Sequence, residues 1–214
     1  DWNMIVLQQV VERVSGRTLD ALLEERVYGP LGMRDTRFNP SETLKPRIAP
    51  TEIQEFRGGQ LWGVVHDENA WAMGGVSGHS GLFSSARDLG VFTQMLLNGG
   101  EYHGVRVLRA ETIARWTARQ RPDAARALGW ETPSPRSSAG RYFSTRSFGH
   151  TGFTGTSIWA DPEKQLFVVL LTNRVDPSRD NQLVGPLRRV VADAVQRAVR
   201  DAPLVAWEAE RPAR

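Results

Sequence analysis

The spacing of apolar residues predicts two helices at the start of the chain. Residues 3–15 carry isoleucine and valine side chains at helical spacing and stop at Gly16, which is a typical end of a helix. A second helix is predicted from about Thr18 to Val27, where leucines recur at the same spacing. The segment YGPLGM that follows is expected to end it. Residues 37–82 show no clear periodicity and are predicted to form long irregular connections.

A capping signal precedes the clearest helix of the chain. Ser85 and Asp88 stand in front of apolar residues at helical spacing, and this pattern predicts a helix that begins there. The glycines of Asn98-Gly99-Gly100 are expected to end it. Another short helix is predicted at about 109–118.

The last third of the chain changes to strand patterns. The segments ALGWE (127–131), SIWAD (157–161) and QLFVVLLTNR (165–174) are predicted strands. The continuous apolar run of the third predicts burial on both faces. Turn residues at 161–164 join the second and third as a hairpin, and a helix is predicted at about 181–200. The expected organisation is a helical and loop region at 1–126, strands and a helix of the same domain at 127–200, and a tail at 201–214.

Composition narrows the class of protein. The chain has 214 residues, of which 40% are hydrophobic and 24% charged, as in ordinary soluble globular proteins. No apolar run approaches a membrane span. The 27 basic and 24 acidic residues give a net charge of +3, with arginines spread along the chain, which argues against a nucleic-acid partner. There is no cysteine, so disulfides, thiolate metal sites and a cysteine nucleophile are excluded.

A stretch rich in glycine and threonine, GHTGFTGTS at 149–157, is the main candidate for chemistry. Glycine weakens a strand unless a bulge or a closely approaching molecule requires a bare backbone. One interpretation is a glycine-rich bulge within a sheet. The other is a strand edge that accepts an acyl or peptide substrate and offers an N–H group to a developing oxyanion. The spacing alone leaves both open.

Two other sites are disfavoured by spacing. GHSGL at 78–82 lacks the glycine two residues beyond its serine that a nucleophile elbow requires. His66, Asp67, His79 and His150 contain no pair at the helical spacing of zinc-binding histidines. We therefore expect no metal ion, and we expect His66 and Asp67 to hydrogen-bond to backbone in a long loop.

Several segments together resemble a known superfamily. NMIVLQQVVERVSG, RVYGPLGMRDT, GHSGLFSSARDLGVFTQMLLNGG, LGWE and FGHTGFTGTSIWADPEKQLFVVLLTNR occur in this order. They are similar to the serine β-lactamase and penicillin-binding protein superfamily, in its class C β-lactamase, esterase and D-amino-acid peptidase-like branch. The resemblance places His150, Thr151 and Gly152 at the Lys-Thr-Gly motif, in its His-Thr-Gly variant, and implies that the Phe153 N–H serves the oxyanion hole. It also implies that Ser80 and His79 line the pocket opposite this strand.

The other two motifs of the superfamily are incomplete. Its nucleophile lies in Ser-x-x-Lys, but the residues three before Lys45 and Lys164 are Glu42 and Asp161. In its Tyr-x-Asn motif, Asp1 falls at the Asn position, and the tyrosine would lie two residues upstream. The resemblance thus implies catalytic roles for His150 and Asp1 within the C-terminal portion of a larger bacterial hydrolase.

The resemblance implies an α+β fold of the β-lactamase/transpeptidase-like type, with an antiparallel sheet, flanking helices and a helical subdomain, incomplete in this chain. It implies a serine hydrolase that acts through an acyl-enzyme on a small-molecule ester, amide or β-lactam, without a cofactor, and that needs a missing N-terminal segment. A periplasmic or extracellular location follows from the resemblance alone. The alternative is a non-catalytic binding domain of the same fold that has lost its nucleophile.

Overall fold

The computed structural model describes residues 1–209, so residues 210–214 of the predicted tail lie outside the described part. The chain divides into two compact units. The first contains Asp1–Val91 and Val175–Asp180, and the second contains Phe92–Arg174 and Asn181–Arg214. The domain boundaries expected from the sequence stay a prediction.

The first unit begins with the helices that the sequence pattern predicted. Helix α1 spans Trp2–Ser15 and ends where Gly16 adopts a φ of 68°, a left-handed conformation that glycine takes without steric cost. Helix α2 spans Leu19–Leu23. It continues as a π-helical segment, Glu24–Tyr28, and a last turn, α3, at Gly29–Leu31. The helical path thus runs past the predicted end at residue 27, because a glycine with left-handed φ occurs only at Gly32.

The irregular region of the first unit contains only short elements, as its lack of periodicity predicted. Turns of 3₁₀-helix occupy Glu42–Arg47 and Glu55–Arg57. Strands β1 (Ile53–Gln54) and β2 (Gly59–Gln60) form a two-residue antiparallel pair, and helix α4 spans Glu68–Ala72.

Helix α5 spans Ala86–Leu97 and is followed by the predicted glycines. Half of the predicted capping box is present, because Ser85 Oγ accepts a hydrogen bond from the Asp88 N–H at 3.3 Å. The Asp88 carboxylate accepts instead from the Asp35 N–H at 2.7 Å and the Thr36 hydroxyl at 2.9 Å. Asp88 therefore ties the loop after α3 to the start of α5.

The second unit contains a three-stranded antiparallel sheet packed on a helix. The sheet has the order β5 (Phe148–Thr151), β6 (Ser157–Asp161) and β7 (Leu166–Leu170). Trp159 of β6 is buried with Phe143, Ala139 and Ala192, the last of which belongs to helix α7. The remaining elements of the unit are strands β3 (Glu101–Tyr102) and β4 (Val105–Arg106) and helices α6 (Ala110–Thr117) and α7 (Val184–Ala198). Within residues 1–209, no helix has the length and apolar character needed to cross a membrane.

The structure confirms the predicted hairpin and corrects two strand predictions. Asp161 Oδ1 accepts the N–H groups of Glu163 and Lys164 at 3.0 and 3.2 Å, which closes the turn between β6 and β7. ALGWE is not a regular strand, because its pairing is limited to single bridges from Glu131 to Arg126 and Gly149. All five residues of β7 are half-buried, so the predicted burial on both faces is wrong. An apolar run shows only that a strand has apolar side chains on both faces. How far these side chains are buried depends on the elements that pack against the strand.

Candidate active site

Strand β5 and the turn after it carry the His-Thr-Gly segment, and contacts with neighbouring parts of the chain explain glycines of this stretch. A Cβ atom at Gly149 would collide with the Ile158 carbonyl and the Trp159 ring on β6. At Gly155, where φ is 124°, it would lie 2.7 Å from the Thr172 carbonyl. The bare backbone thus accommodates the protein's own neighbouring chain. The glycines by themselves therefore do not indicate a ligand. The other residues of the segment are the candidates for an active site.

His150 lies exposed on β5, and its ring orientation is defined by two hydrogen bonds. Arg126 Nη1 lies 3.0 Å from His150 Nε2. Because a guanidinium can only donate, Nε2 is the acceptor, and Nδ1–H then donates to the Thr151 carbonyl at 2.9 Å. Arg126 also pairs with Glu131 at 3.2 Å. The Arg126 N–H thus occupies the lone pair of His150 Nε2, so this nitrogen can accept a proton only when Arg126 moves away from it.

The chain turns immediately after Thr151, so the stretch 149–157 does not form one continuous strand. The Gly152 N–H donates to the Thr156 carbonyl at 2.8 Å, which closes the turn. The Phe153 ring is exposed and lies against Arg174, with 4.2 Å between the guanidinium carbon and the ring centroid. The motif thus occupies the end of a strand and the turn that follows it, and the role of the Phe153 N–H in an oxyanion hole stays a prediction.

The first unit brings together Asp1 and His79, two residues singled out by the resemblance, with Asp67. His79 Nε2 lies 2.9 Å from Asp67 Oδ1, and His79 Nδ1 lies 2.8 Å from the Ser77 hydroxyl. The Asp67 carboxylate also accepts the Ala70 N–H at 2.8 Å and so caps helix α4. Burial opposes ionisation of Asp67, but the hydrogen bonds from Ala70 and His79 outweigh it and hold the pKa of Asp67 below its ordinary value.

Asp1, Asp67 and His79 are also able to hold a metal ion. One ligand atom from each lies within 4.8 Å of the others, and the pattern of two carboxylates and one imidazole suits a divalent transition metal. The hydrogen bonds of His79 to Asp67 and Ser77 already satisfy both ring nitrogens without an ion. We therefore assign no metal to this group, and the absence of a metal ion stays a prediction.

The glycine-rich loop at residues 74–82 packs against the protein itself. A Cβ atom at Gly78 would collide with the Met4 carbonyl of α1, and the Gly78 N–H donates to Gln8 at 2.9 Å. This loop therefore approaches the first helix. Ser80 is half-buried on the same loop. The expectation that Ser80 and His79 line a pocket opposite β5 stays a prediction.

The His66 ring binds a side chain. Its Nε2 lies 2.9 Å from Glu52 Oε2, and both side chains are buried. The expected hydrogen bond from His66 to backbone stays a prediction. Asp67 does bind backbone through the Ala70 N–H, as the sequence indicated.

Sequence reasoning missed the arginines that surround the His-Thr-Gly segment. Arg126 contacts His150, Arg174 contacts Phe153, and Arg188 contacts Gly152. They are 24, 21 and 36 residues from these partners, and no local pattern marks one arginine among many. The only available signal was the excess of arginine over lysine in the basic residues.

Comparisons of the sequence with known proteins agree on one family. The family model described as Beta-lactamase matches residues 1–193. A Salmonella schwarzengrund protein provisionally named D-alanyl-D-alanine carboxypeptidase is 38% identical over 203 residues, which is 87% of this chain and 47% of that protein. A Salmonella newport protein of the same name has the same identity and coverage. The chain thus spans about half the length of these relatives.

Solved structures share the fold. A β-lactamase from Mycobacterium bovis has a TM-score of 0.65 and 25% identity, covering 92% of this chain and 62% of that protein. A penicillin-binding protein homologue from Caulobacter crescentus has a TM-score of 0.62 and 18% identity, covering 88% and 55%. The mixed helical and antiparallel architecture is therefore β-lactamase/transpeptidase-like. With a family match over residues 1–193, this chain belongs to the Beta-lactamase family.

Proposed function

We propose that this chain is the C-terminal portion of a serine hydrolase that acts through an acyl-enzyme on an ester, amide or β-lactam. The observation that carries the proposal is the position of His150, exposed at the end of β5 in the His-Thr-Gly segment of a Beta-lactamase family chain. The names of the Salmonella relatives favour a peptide that ends in D-alanine within this range of substrates.

The nucleophilic serine is proposed to lie outside this chain. The sequence has no Ser-x-x-Lys, since its two lysines follow Glu42 and Asp161 at the required step. The chain also spans 47% of the length of the curated relative. Both observations support a preceding segment that supplies the serine and lysine.

Rows of exposed apolar residues in each unit also support the existence of this preceding segment. On α1, residues four apart are exposed on one side, from Trp2 at 81% through Val6 and Val10 to Val14 at 83%. Leu183, which precedes α7, and Leu187 and Val190 within it are exposed. Contiguous apolar rows of this kind indicate surfaces that another polypeptide covers.

The proposed reaction has two steps. The serine Oγ attacks the carbonyl carbon while its proton passes to a base, and the resulting oxyanion is stabilised by backbone N–H groups, including that of Phe153. The bond to the leaving group breaks as that group takes up a proton. Water then attacks the acyl-enzyme and releases the acid and the serine. His150 is proposed to move a proton once Arg126 has left Nε2, or to orient the substrate, and Asp1 is proposed to take the Asn position of Tyr-x-Asn.

Labelling with a fluorescent penicillin and a fluorophosphonate tests the proposal. The 214-residue chain alone is expected to remain unlabelled, and the protein with its preceding segment is expected to be labelled once, at a serine of that segment. Labelling of a serine within residues 1–214 would contradict it. An unlabelled complete protein that still binds a D-alanine peptide would instead favour the non-catalytic binding domain, which the missing nucleophile also supports.

A further inference from the structure

Two arginines hold the turn after β5 through its backbone carbonyl groups. Arg188 of helix α7 donates from Nη2 to the carbonyl oxygens of Gly152 and Thr156, at 2.7 and 2.8 Å. Arg174 donates from Nε to the Phe153 carbonyl at 2.8 Å. Because a guanidinium carries several donors in a rigid plane, these contacts fix the orientation of consecutive peptide groups.

The Gly152 carbonyl belongs to the same peptide unit as the Phe153 N–H. The cis peptide bond found among the described residues is that of Asp176 and Pro177, so the Gly152–Phe153 bond is trans. In a trans peptide the C=O and N–H groups point in opposite directions. The Gly152 oxygen also accepts the Gly155 N–H at 3.2 Å, so Arg188 and this turn bond together set the direction of the Phe153 N–H.

The charge of Arg188 acts on the same peptide. A cation at the carbonyl oxygen polarises the amide and makes its N–H a stronger donor, because hydrogen-bonded groups in series strengthen one another. Arg188 is half-buried, and electrostatic interactions are stronger there than in water. Burial, and then repulsion from Arg174, lowers the pKa of Arg188, although arginine stays protonated at physiological pH.

The burial of Arg188 is costly for the fold. Its Nε is buried and has no hydrogen-bond partner within residues 1–209, and its Nη2 bonds go to neutral carbonyl groups rather than to a carboxylate. Burying a cation that forms no ion pair is unfavourable, and the charge of Glu131 offsets only part of this cost. Natural proteins concentrate such departures from optimal packing at functional sites.

We propose that Arg188 is a positioning residue of the oxyanion hole. It holds the Gly152–Phe153 peptide so that the Phe153 N–H faces the oxyanion that forms during acylation and deacylation, and it strengthens that donor. The inference rests on the proposed function and adds a second requirement to it. Arg188 acts through the Phe153 N–H and carries no proton in the reaction.

The test compares three variants of the complete protein, with its preceding segment present. Arg188→Met removes the contacts and the charge, and Arg188→Lys keeps the charge but loses the planar fork. Arg189→Met is the matched control, because Arg189 is the next residue of α7 and donates to the carbonyl groups of Ser137 and Arg136. Thermal unfolding of all three verifies that they fold.

Hydrolysis of p-nitrophenyl acetate and inhibition by phenylboronic acid are measured for each variant. Arg188→Met is expected to lower kcat about tenfold to a hundredfold and to change KM less than about twofold, because the interaction is made in the transition state. Inhibition by phenylboronic acid, whose serine adduct is tetrahedral and anionic, is expected to weaken by a similar factor. Arg188→Lys should retain part of the activity, and Arg189→Met should match the wild type.

A second measurement does not depend on activity. The protein is labelled with ¹⁵N-phenylalanine, and the Phe153 amide resonance is assigned as the one that disappears in Phe153→Leu. Arg188→Met is expected to shift this resonance, whereas Arg189→Met is expected to leave it unchanged. The proposal is overturned if the Phe153 resonance and kcat of Arg188→Met equal those of Arg189→Met. If Arg188→Met does not fold, Arg188→Lys replaces it in the same comparison. If the complete wild-type protein neither hydrolyses p-nitrophenyl acetate nor binds phenylboronic acid, the proposed function is refuted. In that case the shift of the Phe153 amide resonance in Arg188→Met still decides whether Arg188 holds the Gly152–Phe153 peptide.

Discussion

Arg179 binds the carboxylate of Glu52, 127 residues earlier in the chain, through Nε at 2.8 Å and Nη2 at 2.6 Å. Glu52 is 8% exposed at its side chain and also accepts from Gln54 at 2.8 Å. These bonds attach the segment Val175–Asp180 to the rest of the first unit. Within that unit they join two parts of the chain that lie far apart in sequence.

Replacing Glu52 is expected to loosen this attachment. Glu52→Gln should lower the free energy of unfolding by about 2 kcal/mol, because hydrogen bonds to a buried carboxylate are lost. Hydrogen exchange in residues 175–180 should become faster. Glu101→Gln is the control, since Glu101 forms an exposed pair with Arg106 and should cost less than about 1 kcal/mol. Equal effects of the two substitutions would contradict the structural role of Glu52.

The same pair predicts an acid dependence of stability. The hydrogen bond from Arg179, ahead of all other causes, holds the pKa of Glu52 well below its ordinary value. A group with a lowered folded pKa contributes stability above its unfolded pKa, about 4.3, and loses it as the pH falls towards the folded value. The difference in unfolding free energy between wild type and Glu52→Gln should therefore shrink between pH 5 and pH 3, on the order of 1 kcal/mol per pH unit below 4.3. A constant difference down to pH 3 would exclude this role.

Gly149 is expected to tolerate no side chain. Gly149→Ala should destabilise the protein by roughly 1–3 kcal/mol, because its Cβ atom would collide with the Ile158 carbonyl and the Trp159 ring. Gly185→Ala is the matched control, since nothing lies within 4 Å of a Cβ there. In helix α7 this change should be neutral or stabilising by up to about 1 kcal/mol. Thermal or denaturant unfolding measures both, and a stable Gly149→Ala would disprove the close packing of β5 on β6.

His150 is expected to contribute to the reaction. In the complete protein, His150→Ala should lower hydrolysis of a p-nitrophenyl ester roughly a hundredfold, the usual contribution of a group that assists proton transfer. His103→Ala is the control, because His103 is an exposed histidine of the same unit, in the turn between β3 and β4. If the rates of the two variants are equal, His150 has a structural position in the sheet and no role in the chemistry.

Local patterns predicted the elements whose residues decide their own conformation. Helix α1 and its end at Gly16, helix α5 and its terminal glycines, and the β6–β7 hairpin followed from side chains within a few positions of one another. The His-Thr-Gly segment was also visible, because a motif is a local order of residues.

Predictions that depended on neighbours distant in sequence were less successful. ALGWE has the composition of a strand, but Glu131 meets Gly149 only in a single bridge. The apolar run of β7 is half-buried because burial depends on what packs against it. His66 binds Glu52, fourteen residues away, a partner that no local pattern indicated.

The amino-acid sequence by itself determined helices α1 and α5, the β6–β7 hairpin and the position of the candidate motif, because hydrophobic periodicity and turn residues act over one or two turns of chain. The tertiary structure alone decided that His79 lies between Asp67 and Ser77, and that Arg188 holds the carbonyl of Gly152. These contacts join residues up to 36 positions apart. Their formation depends on how the elements pack, since a charged side chain binds whichever group the folded chain brings within hydrogen-bonding distance.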